Sequence, residues 1–284
     1  PDGATLTAEQ IPNGFYEKGE LVTVLLALKN TTGTAITGVN ATLAEEGGVL
    51  APSGAQSYGT IPPGQTVSAP FTFTVGARPG ETIRAALALT SSSRSGLPRA
   101  DFELPAGRRP AQPLRYINGA LTIPGLGTNG NASPYPAVVT IYPFGLPIGA
   151  VPVVTKVTAT LHGFTHGRSE DVDVLLVSAS SRRSVVLMSD AGSGAVSNLD
   201  LTFDDDATQP TTSEPLVSGT YRPKNLGSVI DLFPAPAPSK PYGNTLSVFR
   251  GLIPLDQWLL YIRDDQSGAT GTITGWELTI DYAY

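Results

Sequence analysis

The 284-residue chain has no cysteine, one methionine and two histidines. Without a thiol it cannot build a disulfide framework, a cysteine nucleophile or a cysteine-ligated zinc site. Charged residues make up only 15% of the chain. Lys and Arg nowhere gather into the patch needed to bind nucleic-acid phosphates or an anionic membrane. No run of about 18 uncharged apolar residues is present, which excludes a membrane-spanning helix. A 3.6-residue apolar stripe of helical length is missing as well.

Catalytic signatures are equally scarce. There is no Gly-x-Ser-x-Gly elbow, and the nearest run, Ser218-Gly219-Thr220, matches no nucleophile context. Only His162 and His166 can serve as imidazole bases. No Glu follows His162 as zincin chemistry requires, and Gly163, Phe164 and Thr165 read as a bend after a strand that His162 ends. The pair is therefore read as loop or hydrogen-bonding histidines, with a catalytic or zinc role as the alternative. Glycosidase work needs paired carboxylates about 5–10 Å apart. The two tryptophans that might line such a cleft both fall on apolar faces.

What the sequence has in plenty is glycine (31) and proline (25), in a chain that is 40% apolar. With no three-residue period, this composition describes many short elements joined by turns. The length predicts two domains. Val22, Val24, Leu26 and Leu28 alternate along one face before the turn at Asn30-Thr31-Thr32-Gly33. Val67, Phe71, Phe73 and Val75 repeat the pattern, as do Ile83, Ala85, Leu87 and Leu89 after Pro79-Gly80. Such spacing predicts a β-sandwich over 1–105. The run LPAGRRPAQPL marks an exposed, proline-stiffened linker over 106–113.

The remainder, 114–284, carries the same signature more strongly. Val153, Thr155, Val157, Ala159 and Leu161 alternate; Val172, Val174 and Leu176 follow, then Val185 and Leu187, then Leu199, Leu201 and Phe203. Trp258, Leu260 and Ile262 share a face near the end, and Trp276, Leu278, Ile280 and Tyr282 share another, so both tryptophans are predicted core residues. Two long loops, 119–136 and 233–243, are rich in Gly and Pro; the second is expected to be extended and stiff. Both are candidate binding loops, with closure of a sheet edge as the alternative.

Carboxylates stand above this background. Residues 1–110 hold nine acids against eight bases, whereas 111–284 hold fifteen against ten. Asp171 and Asp173 are predicted on one side of a strand, while Asp190, Asp204, Asp205, Asp206, Asp264 and Asp265 end others. Strand ends converge at sandwich rims, and calcium takes six to eight hard oxygen ligands on irregular loops. Asp171, Asp173, Asp190, Asp204, Asp205 and Asp264 are thus candidate calcium ligands, although EF-hand spacing is lacking. The alternative is solvated strand-end and turn residues.

Two runs carry a family resemblance. Asp171-Val172-Asp173-Val174-Leu175-Leu176-Val177-Ser178, followed by Val185-Val186-Leu187-Met188-Ser189-Asp190, resembles the D-L-x-V-x-L-x-S-P stretch of the P domain (Homo B domain) of kexin-like proprotein convertases. Trp258-Leu259-Leu260-Tyr261-Ile262-Arg263-Asp264, then Gly271-Thr272-Ile273 and Trp276-Glu277-Leu278, is similar to that family's W-x-L-x-V-x-D…G-x-L-x-x-W-x-L ending. Ala179 departs from the family's Pro, and Thr270 from its acidic residue. The resemblance implies a non-catalytic, galactose-binding-like β jelly roll over 114–284 that stabilises neighbouring domains, a protease domain among them. Residues 1–105 resemble Ig-like modules that precede such domains in bacterial surface proteins, through Gly19-Glu20-Leu21-Val22-Thr23-Val24, Lys29-Asn30-Thr31-Thr32-Gly33 and Tyr58-Gly59-Thr60-Ile61-Pro62-Pro63-Gly64.

The expectation is an all-β, secreted or cell-surface fragment of a longer bacterial chain. Its role is that of an accessory or interaction region without catalysis of its own and without nucleic-acid partners. Two rivals are the C-terminal accessory part of a secreted serine or metalloprotease and a carbohydrate or cell-wall binding module.

Overall fold

A computed structural model describes residues 1–142, 151–227 and 232–284. The chain is all-β and divides into two compact units, residues 1–109 with 283–284, and residues 110–282. Among the described residues, no helix is long and apolar enough to cross a membrane.

The first unit contains β1 (Gly3–Glu9), β2 (Leu21–Lys29), β3 (Ile36–Leu43), β4 (Val49–Leu50), β5 (Gln56–Ile61), β6 (Thr66–Val75), β7 (Thr82–Thr90) and β8 (Ala100–Pro105). They form two four-stranded antiparallel sheets, ordered β1-β2-β6-β4 and β5-β3-β7-β8. The alternation along β2 buries Val22, Val24, Leu26 and Leu28 and leaves their neighbours at least partly exposed. Across from them and from Phe71 and Phe73 lie Ile83, Ala85, Leu87, Phe102 and Leu104 of the second sheet. The Tyr58 hydroxyl crosses between the sheets to the Leu26 carbonyl at 2.7 Å. Burial raises its phenol's pKa, so it stays a neutral donor. Ala106 and Gly107 are buried where an exposed linker was expected, whereas Arg108 and Arg109 are exposed. Ala106 is fully buried and bridges to Tyr16, and Gly107 N–H donates to the Tyr16 carbonyl. The stretch free of strand runs over 107–113.

The second unit contains β9 (Leu114–Asn118), β10 (Leu121–Ile123), β11 (Gly130–Asn131), β12 (Ala137–Thr140), β13 (Val153–His166), β14 (Val172–Ser178) and β15 (Ser184–Ser189). After these come β16 (Val196–Phe203), β17 (Gly219–Tyr221), β18 (Lys224–Asn225), β19 (Gln257–Asp264), β20 (Gly271–Ile273) and β21 (Gly275–Ala283). A seven-stranded sheet runs β10-β20-β13-β16-β17, with β21 pairing β13 and β9. A six-stranded sheet runs β11-β19-β14-β15-β18, with β12 also on β19. Their facing sides enclose one core holding Val157, Leu161, Val174, Leu176, Leu260 and Ile262. Trp258 and Trp276 are fully buried there; the Trp258 indole N–H donates to the Pro254 carbonyl at 3.1 Å, and its ring meets Phe249 edge-on.

Two local readings need correction. The strand ending at His162 runs on to His166, because Gly163, at φ +60°, makes a bulge that shifts the β13–β16 register. A Cβ at this position would meet the Thr274 side chain at 2.7 Å, so only glycine fits. The 233–243 loop is folded, with Ala237 N–H donating to the Pro234 carbonyl. It covers a sheet face, with Phe233 and Tyr242 packed on Leu175, Val177, Val186 and Tyr261, and its Gly243 also bridges to the edge of β15 at Val185. Consequently every residue of β14 and β15 is buried, on both sides of the sheet.

Both tryptophans lie in the second unit, so intrinsic tryptophan fluorescence reports on that unit alone. Trp258→Ala should lower its unfolding free energy by about 3–5 kcal/mol, measured by denaturant titration of Trp276 emission.

Candidate functional site

Polar groups concentrate at one rim of the second unit, where strands of both sheets end. β13 delivers His166, the 3₁₀ turn Ser169–Asp171 leads into β14, and β19 ends at Asp264 in register with Val172. Asp190 follows β15 on the same side, since Met188 pairs with Val174. His166 belongs to the seven-stranded sheet and Asp264 to the six-stranded one, so their contact spans the core.

The geometry at this rim is tight. His166 and Asp264 have fully buried side chains, with imidazole Nε2 and carboxylate Oδ2 3.2 Å apart. That is ion-pair distance, at an angle short of a hydrogen bond. The other ring nitrogen, Nδ1, lies 2.7 Å from the Arg168 carbonyl and donates to it when protonated. Gln266 N–H donates to Asp264 Oδ1 at 3.1 Å. Burial pushes the Asp264 carboxyl above the usual range, opposed by the Gln266 N–H and by His166. Asp171 is also buried and its pKa raised by desolvation, with the Arg168 guanidinium pulling the other way. Its backbone carbonyl accepts from Asp265 N–H at 3.0 Å, tying the turn to the end of β19. The result is a cross-braced joint between sheets.

The remaining predicted acids lie elsewhere. Asp171 sits in the 3₁₀ turn, so it does not share a strand face with Asp173, which is buried in β14 in register with Arg263. Asp204 and Asp206 hold Lys156 Nζ at 2.9 and 2.6 Å. Asp205 accepts from the N–H groups of Leu246 and Ser247 at 2.8 and 2.7 Å, capping the 3₁₀ turn Leu246–Phe249. These three follow the end of β16 where Phe203 meets Ala159, whereas Val196 at its other end meets His166. The six calcium candidates are therefore split between two rims. Among the described residues, no group of three or more His, Asp or Glu is arranged to hold a metal ion. This donor set does not fit a common calcium shell.

His162 lies apart from His166, on the outer side of its sheet. Its Nε2 is 3.3 Å from Glu277 Oε2 and its Nδ1 3.5 Å from Asp200 Oδ1. Glu277 also accepts two hydrogen bonds from Arg115, at 2.5 and 2.7 Å, and one from Thr279. The Arg115 bonds hold the Glu277 carboxyl below its ordinary pKa. Glu277 was named in the sequence only within a motif and given no role; its signal was a lone acid alternating with Trp276 and Leu278. Among the described residues, neither imidazole has a Ser or Thr hydroxyl as a side-chain partner.

No model of a known protein family and no curated protein matches this chain. Among solved structures, it is similar to the serine protease of Aeromonas sobria at 14% identity and a TM-score of 0.28, over 71% of this chain and 37% of that one. It is likewise similar to a chain in the complex of that protease with the chaperone, at 13% identity and a TM-score of 0.29, over 66% and 35% of the two chains. The chain thus spans little more than a third of the solved chains it matches. Likeness at this level defines neither a shared fold nor a shared function.

The depressed Glu277 pKa has a definite consequence. Its pairing contributes stability that is present above the unfolded value near 4.5 and lost as pH falls through the lower folded value. Glu277→Gln should lower the melting temperature at pH 7, and the gap from the parent should close below about pH 4, as read by calorimetry across pH.

Proposed function

We propose that this chain is a non-catalytic accessory and interaction region of a secreted or cell-surface protein. Its second unit is a P-domain-like jelly roll that stabilises or docks neighbouring domains, a protease domain among the candidates. One observation carries this reading: the residues that resemble the P domain are spent on structure. Residues 172–178 pair with 258–264 along their length, and 185–188 pair on the other side of the same strand. Trp258 and Trp276 fill the core, and Asp264 meets His166 across it. Both imidazoles are occupied by carboxylates or backbone, which suits a scaffold.

Purified 1–284 should release no product from peptide or polysaccharide substrates. In the full-length protein, deleting 114–284 should lower the melting temperature of the adjoining domain by several degrees. Turnover by 1–284 that disappears in His162→Ala or His166→Ala would overturn the proposal, as would an adjoining domain indifferent to the deletion.

A further inference from the structure

At one end of the first unit, the space between the two sheets opens into a cavity of about 480 Å³. Leu28 near the end of β2 forms one wall; Ile36, Val39, Ile61 and Leu89 of the second sheet form the other. The volume falls in the range of small-molecule sites, about 300–1,000 Å³, which are typically apolar with a few placed polar groups. Buried Asn30 ties one wall to the other. Its amide nitrogen donates to the carbonyls of Thr34 and Ile61 at 2.7 and 2.8 Å, and its oxygen accepts from Thr32 N–H and Oγ1 at 2.9 and 2.7 Å. With all of these bonds made, the β2–β3 connection is fixed to the opposite sheet before any ligand arrives.

The rim of this cavity is basic. Lys29, Arg94 and Arg99 line it, against the single carboxylate Asp2 among the lining residues. Arg99 is neutralised by Glu46 and Asp101. Asp2 accepts a hydrogen bond from Thr66 at 2.5 Å. Lys29 and Arg94 are exposed, and neither forms an ion pair or side-chain hydrogen bond among the described residues. An apolar floor under two uncommitted cationic side chains is complementary to a compact apolar body carrying one negative head. We propose that this cavity binds a small alkyl carboxylate, its chain between the sheets and its head at Lys29 and Arg94.

Octanoate is the probe, with octanol as its neutral counterpart, titrated into labelled 1–284 and followed by amide chemical shifts. Octanoate should shift amides of 28–36, 61 and 89–100 saturably, and octanol should bind the same place roughly three- to tenfold more weakly. Lys29→Gln/Arg94→Gln, both at exposed positions, should reduce octanoate to the affinity of octanol and leave octanol unchanged. The proposal is overturned if octanoate gives no saturable shifts, if the shifts lie outside this set, if octanol binds the parent as tightly as octanoate, or if the double variant keeps the parent's preference.

Discussion

Strand β14 is enclosed on all four sides, and this constraint organises the second unit. Its edges are hydrogen-bonded to β15 and β19, one face meets the inter-sheet core, and the other lies under Phe233 and Tyr242. A strand so placed cannot keep solvated polar groups on either face. Asp173, the polar residue inside it, stands in register with Arg263. The other acids are driven to the ends, where His166 and Asp264 meet across the two sheets. Removing one partner there would leave the other buried with a charge or an empty donor site, which costs more than the net worth of the pair.

The same pressure accounts for the fate of the acids that looked like metal ligands. The acids that follow β16 each meet donors brought from elsewhere in the fold. Lys156 takes Asp204 and Asp206; two backbone N–H groups take Asp205. Once a carboxylate has a cation or a pair of amides, the repulsion that would recruit calcium is gone. Acids that gather along the sequence need not gather in space.

Legibility in the sequence followed the range of the interaction. The one-sided alternation of β2 and of Trp258-Leu260-Ile262 was readable because each strand carries its own inside and outside. The second buried face of β14 was not, because its cover comes from some sixty residues downstream. In the same way, Asp205 caps a turn 41 residues away and His162 meets a carboxylate 115 away. Gly163 was seen as a break; its real effect is a bulge, which keeps β13 continuous and separates the environments of two histidines four residues apart. The runs 171–178 and 258–264 could be read as units because each is contiguous, and what they build is the β14–β19 pair.

The two units therefore handle polarity in opposite ways. In the second, Asp204, Asp205 and Asp206 are matched by Lys156 or by backbone amides, and the buried His166–Asp264 contact closes the core's end. In the first, Asn30 satisfies its own loop so completely that it has nothing left to offer the cavity, while Lys29 and Arg94 beside it remain unmatched. A gap between sheets lined by Leu28, Val39 and Ile61 forfeits dispersion contacts on every wall. An amphipathic anion seated there would gain both the apolar contact and the charge pairing that the fold leaves unmade.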